Sequence, residues 1–298
     1  MADNASVTSA LLKRTVYRNL MKDYLPFPID RKLCARWAGG IPEGGSSIIY
    51  TSMMYQMAPM FKAYESLLPR AARLRGSERL ASLGKFLFKP KRAELERAYA
   101  ILRNIASMLS KSDVDFGYLH EKEPYSGAIL IELGMRDEFI EYGKKLTSFF
   151  TGLGVERVIT VDPHTTNALA RMKEYVPSRL EVVNYLSLID GARGEGKFVL
   201  HDSCLYARHL GLRDSIRQSI GRTGISLAED RMVTGKGTAM CCGSPVGAVS
   251  PDLGEKIAEV RARALLSVGG SVMVMCPMCY QALSPHIKGL KDFAEVVR

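Results

Sequence analysis

No run of eighteen or more uncharged apolar residues occurs in the 298-residue chain, which argues against a membrane-spanning helix. The opening MADNASVTSALLKR lacks the basic, apolar and small-residue regions that follow one another in a secretory leader, so the expectation is a soluble, cytoplasmic protein. Cysteine is scarce at six residues, too few for the disulfide framework of a secreted chain. Absent too are a ferredoxin-type CxxCxxCxxxC run, a GxGxxG turn after a strand and any flavin signature. If the chain does redox chemistry, its electrons come from or go to another subunit.

What is present is enough for a packed core. The composition, 47% hydrophobic and 24% charged, suits a globular chain of one or two domains. The formal charge of +10 is concentrated in one place. Between Arg70 and Arg103 stand ten basic residues against three acidic ones, a net +7. Aromatics hardly interleave with this segment, and no zinc-finger, ribonucleoprotein or helix-turn-helix pattern accompanies it. It reads as a solvated face or a docking surface for an acidic partner, and nucleic acid is not expected as a ligand.

Short β-branched runs alternate with longer amphipathic stretches, the pattern of parallel α/β units. Strands are predicted over 47–51, 157–161, 180–183, 197–201 and 271–275, and helices over 92–110, 136–153, 205–219 and 253–267. Three glycines within 191–196 mark a boundary, giving lobes 1–190 and 191–298 with the basic insertion 70–103 inside the first.

The two lobes echo each other. Residues 47–54 align with 197–204, 124–127 with 240–243, and 152–165 with 267–279, each series running strand, glycine turn, helix, strand, proline-containing turn. Five of the six cysteines lie in the second lobe: Cys204, Cys241, Cys242, Cys276 and Cys279. Opposite them in the first stand Met53 or Met54, Tyr125, Ser126, Asp162 and Thr165, none able to supply a thiolate. The lobes thus read as copies of one module, with metal-binding side chains only in the second.

Each cysteine group falls where a predicted strand ends, and sites in parallel α/β sheets assemble at the carboxyl ends of strands. Three distant segments can therefore converge on one centre. Thiolate ligands suit iron–sulfur clusters, zinc or copper(I). Zinc closes a tetrahedral site with four thiolates and leaves a fifth unused, whereas several irons can employ all five. Cys34, isolated from the rest, reads as a small buried hydrophobe. His201 and Arg208 flank Cys204 and are candidate catalytic residues that donate protons or stabilise thiolate charge, with surface positions as the alternative. His164 either lines a substrate cavity or caps a turn, and Tyr125 and Asp162 are expected to fill the space that a metal centre would take in the first lobe.

The motifs His201-Asp202-Ser203-Cys204, Met240-Cys241-Cys242-Gly243 and Cys276-Pro277-Met278-Cys279 resemble the cysteine-rich CCG domain of the heterodisulfide reductase B subunit. That family also includes iron–sulfur subunits of lactate, glycolate, glycerol-3-phosphate and archaeal succinate oxidation systems and the sulfite-reductase-associated K protein. The first lobe matches it only in outline. The resemblance implies two Rossmann-like lobes with parallel sheets related by a pseudo-twofold, and one [4Fe-4S] cluster of the non-cubane kind held by the five cysteines. The family's His-Asp-Pro-Cys-His segment departs here, with Ser203 and Leu205 at the proline and second histidine positions.

With one motif intact, the resemblance implies an oxidoreductase-complex subunit that passes electrons to or from a thiol, disulfide or carrier-bound sulfur, in sulfur-compound oxidation. Its partners would be ferredoxin-like C-type and flavin-bearing A-type subunits. Two alternatives stand beside this: a zinc-binding, non-catalytic assembly subunit, and an electron-relay subunit of a flavin-dependent organic-acid dehydrogenase.

Overall fold

The computed structural model describes residues 2–60, 91–235, 237–247 and 250–298. Most of the basic segment, 70–90, lies outside these residues.

Among the described residues, seven short strands form two parallel sheets. Strands β1 (Ser47–Tyr50), β2 (Arg157–Thr160) and β3 (Glu181–Asn184) make the first, in the order β1-β2-β3. Strands β4 (Lys197–Leu200), β5 (Ser226–Leu227), β6 (Ser271–Val274) and β7 (Lys291–Asp292) make the second, in the order β5-β4-β6-β7. Ser47 faces Arg157 and Tyr50 faces Thr160 in one sheet, while Phe198 faces Ser271 and Leu200 faces Met273 in the other. The central strands are nearly continuous apolar runs because helices cover both faces of a parallel sheet. The result is the expected α/β fold with parallel sheets.

All five predicted strands and three of the four predicted helices agree with the structure to within a residue or two; the strand predicted over 180–183 occupies Glu181–Asn184. The helix predicted over 205–219 is a correction. A single wide turn, Leu205–His209, follows Cys204 with the i to i+5 spacing of a π-helix, and a separate α-helix covers Arg213–Arg222. Gly211, with φ of 66°, sits between them in the left-handed region, where an α-helix cannot continue.

The helix Arg92–Lys111 lays Leu95, Ile101, Leu102, Ile105, Met108 and Leu109 into an apolar cluster that also holds Ile159, Leu200, Met273 and Phe293. This cluster runs from one sheet to the other. Arg97, counted in the basic run, faces inward: it pairs with Glu295 at 2.6 Å and stacks 3.2 Å above the Tyr280 ring. Among the described residues, no helix is long and apolar enough to cross a membrane.

Candidate metal centre

The site is assembled at the carboxyl end of the second sheet. β4 ends in His201-Asp202-Ser203-Cys204, and the His201 N–H continues the ladder by donating to the Met273 carbonyl at 2.8 Å. Asp202 anchors this end: Arg217 grips its two carboxylate oxygens at 2.7 and 2.9 Å and reaches Glu229 with Nε at 2.6 Å. Such a two-pronged ion pair fixes both distance and plane.

The second segment is the turn Cys241-Cys242-Gly243. Gly243 has φ of 89°, and a Cβ there would stand 2.4 Å from the Gly254 carbonyl oxygen, so only glycine permits the turn to pass so close to the helix Pro251–Val268. Its N–H points at the Cys241 sulfur, 3.4 Å away. The third segment follows β6, where Cys276 caps the helix Pro277–Leu283 by accepting from the Cys279 N–H at 3.5 Å.

All five thiols meet. Cys204 interacts with Cys241, Cys241 with Cys242, Cys242 with Cys279, and Cys279 with Cys276. Cys242, Cys276 and Cys279 are buried, while Cys204 and Cys241 are half-exposed. Hydrogen bonds from the neighbouring Cys204 and Cys242 thiols hold the Cys241 pKa far below the usual thiol range. Burial opposes charge on Cys276, but Cys279 and the nearby His164 outweigh it and bring its pKa down to about 5. Cys204 and Cys242 are pushed up, first by their hydrogen bonds to Cys241, and Cys279 is pushed up by its hydrogen bonds with Cys242 first and Cys276 second. Charge is thereby favoured on Cys241 and Cys276 and opposed on the other three, since thiolates in contact repel one another.

His201 and Arg261 complete the inner wall, both buried. Arg261 Nε donates to His201 Nδ1 at 3.1 Å, and its Nη1 donates to the Val233 carbonyl at 2.8 Å. Burial first, and the Arg261 charge second, push the His201 pKa down to about 3. A ring nitrogen of His201 and the sulfurs of Cys242 and Cys279 lie within 4.8 Å of one another. His201 Nε2 and Arg261 Nη2 are buried with no hydrogen-bond partner among the described residues. Arg261 was invisible to the sequence reading, because an arginine beside Glu259 and Arg263 on an amphipathic helix reads as solvent-facing.

Arg208, the other candidate beside Cys204, is exposed. His164 lies in the first turn of the helix that Asp162 caps, so the cap is Asp162 and not His164. Its backbone N–H donates to Asp162 Oδ1, the cap of its helix, at 2.9 Å, and its ring, 2.6 Å from Glu132, reaches across to Cys276. Asp162 also lies near Cys276, and its Oδ2 is unpartnered. Tyr125 is buried in the apolar cluster of the first half. Cys34 is buried in the same cluster, and desolvation drives its pKa well up.

The sequence pattern of the CCG cysteine-rich domain matches residues 198–284. That stretch is a CCG domain. The CCG domain spans all five clustered cysteines and both buried polar groups beside them. Similar curated proteins include a probable iron-sulfur-binding oxidoreductase, FadF, of Bacillus subtilis, 28% identical over 206 residues that make up 64% of this chain and 29% of the relative. The EtfAB:quinone oxidoreductase of Syntrophomonas wolfei is 26% identical, over 65% of this chain and 31% of its own. A probable membrane-anchored ferredoxin of Chromohalobacter salexigens is 25% identical, over 77% of this chain and 37% of its own. The chain spans about a third of the length of these relatives.

Proposed function

We propose that the chain is an iron–sulfur electron-transfer subunit of an oxidoreductase complex, with Cys204, Cys241, Cys242, Cys276 and Cys279 as the cluster ligands. The observation that carries this is the convergence of five thiols from three separate segments beside a buried arginine. The donor set fits the group. Every ligand is sulfur, which iron–sulfur clusters favour, and the fifth thiol has no role at a four-coordinate zinc. The orphaned Arg261 Nη2 adds to the fit, because a buried cation is costly beside neutral thiols and favourable beside thiolates drawn out by a metal. Bound there, a cluster supplies one-electron transfer. Five ligands on one centre are the reason for proposing a non-cubane [4Fe-4S] arrangement.

The protein's own residues divide the remaining work. Cys242, Cys276 and Cys279 hold the centre on its buried side, the helix Pro251–Val268 and β6 exclude water there, and the half-exposed Cys204 and Cys241 face the surface from which a partner approaches. The names of the relatives, one an EtfAB:quinone oxidoreductase, favour relay to or from a flavoprotein. Exchange with a thiol or disulfide is the second reading, favoured by the exposure of Cys204 and Cys241.

Anaerobic purification with iron, sulfide and zinc analysis tests the proposal. The expected protein is brown, with about four irons per chain. A colourless protein with one zinc would overturn it in favour of an assembly subunit. Paramagnetic resonance before and after adding a thiol then separates the finer readings: an unchanged spectrum supports relay, and a changed one supports sulfur chemistry.

A further inference from the structure

Two buried polar side chains beside the sulfurs, His201 and Arg261, are not ligands on this reading. Their hydrogen bond nevertheless dictates what the imidazole can do. A guanidinium carries only donors, so His201 Nδ1, 3.1 Å from Arg261 Nε, must offer its lone pair. In a neutral ring the proton then resides on Nε2. That atom is buried and unpartnered among the described residues, and the ring lies within 4.8 Å of the Cys242 and Cys279 sulfurs. Both groups are anchored: the His201 backbone is tied to Met273, the next residue is clamped by Arg217, and Arg261 is held a second time by Val233.

We propose that Arg261 is a positioning residue that locks His201 in the Nε2–H tautomer, making the imidazole a hydrogen-bond donor to the cysteine sulfurs and not a metal ligand. A ligating Nε2 would have to be unprotonated, with Nδ1–H donating to a carboxylate or carbonyl. Arg261 offers no acceptor. An N–H directed at a ligand sulfur stabilises the more electron-rich state of a cluster, so the pair raises its reduction potential. This role rests on the cluster reading above, but the tautomer does not.

The test has two parts. Nitrogen-15 spectra of the full-length chain prepared without iron, with the His201 signals assigned by their loss in His201→Phe, read the tautomer directly. A protonated Nε2 and bare Nδ1 are expected, and Arg261→Met should lose this preference. A protonated Nδ1 in the unsubstituted chain would overturn the proposal with no variant needed, and so would a tautomer unchanged in Arg261→Met. In the iron-loaded protein, His201→Phe and Arg261→Met should each lower the midpoint potential. The Arg261→Met shift should shrink by more than half in the His201→Phe background. An equal shift in both backgrounds would mean that Arg261 acts as a bare charge, and the positioning role falls. A chain that binds no iron would refute the cluster reading while leaving the tautomer result standing.

Discussion

The two halves of this molecule solve the same problem with different chemistry. In each, the chain must bring together the end of a first strand, a glycine turn and the start of a helix. In the second half, thiols meet at that junction. In the first, hydroxyls and a carboxyl do: the Ser126 N–H donates to Ser52 Oγ at 2.8 Å, and Ser52 Oγ donates to Ser126 Oγ at 2.9 Å. Glu123 accepts from the Thr51 N–H, the Thr51 hydroxyl and the Tyr118 hydroxyl at 2.6, 2.7 and 2.9 Å. Where Glu123 stands, the second half has the small buried Ala239.

The scaffolds around these junctions correspond closely. Gly127 and Gly243 have φ of 81° and 89° and each opens a short helix. Asp162 and Cys276 cap helices that begin with Pro163 and Pro277. β3 and β7 both end in a side-chain cap, Asn184 to the Leu186 N–H and Asp292 to the Ala294 N–H. A backbone module can therefore be closed by hydrogen bonds alone or be left needing a cation, depending on which side chains face the junction.

Exchanging the metal-competent groups should have the largest effect. Cys242→Ser or Cys279→Ser should remove most of the bound iron, measured by metal analysis and visible absorbance, while Ser126→Ala at the matching turn leaves iron content unchanged. Iron loss on Ser126→Ala would break the division between the halves.

The buried carboxyl sharpens the contrast through pH. Desolvation raises the Glu123 pKa to about 7, even though the Thr51, Ser52 and Tyr118 hydrogen bonds pull it down. An unfolded glutamate titrates near about 4.3. Between these values the unfolded chain has released a proton that the folded chain keeps, so the contribution to stability is full at low pH and declines as pH rises toward 7. Glu123→Gln should shrink the difference in unfolding free energy between pH 5 and pH 8 by roughly 2–3 kcal/mol, read by denaturant titration. An unchanged difference would place the carboxyl's proton elsewhere.

The turns come next. A Cβ at Gly243 meets the Gly254 backbone at 2.4 Å, whereas one at Gly127 meets a side chain, the buried Tyr142 ring, at 2.8 Å. Gly243→Ala should cost about 2 kcal/mol or more and reduce iron retention, and Gly127→Ala should cost about 1 kcal/mol with iron unaffected. Thermal denaturation with parallel iron assays checks both. The smallest effect is expected at exposed Arg208, where Arg208→Ala should change stability by less than about 0.5 kcal/mol and leave iron bound.

Much of this was legible in advance for local reasons. Three-residue apolar runs such as Ile48-Ile49-Tyr50 and Val272-Met273-Val274 lie near turn residues and show as strands without help from the rest of the chain. β5 and β7, two residues each, carry no such signal and exist only because β4 and β6 are there to pair with them. Arg261 was missed because its partner His201 is sixty positions away, and the internal engagement of Arg97 because Glu295 and Tyr280 lie near the other end of the chain.

By itself the sequence determined the α/β pattern and the grouping of five thiols into three segments, two of them directly after strands, because each depends on neighbours along the chain. Only the tertiary structure decided that the sulfurs touch, that His164 from the first half reaches Cys276, and that a buried arginine orients His201. Burial and the direction of a hydrogen bond belong to groups brought together from distant positions, and the order of residues does not contain them until the chain has folded.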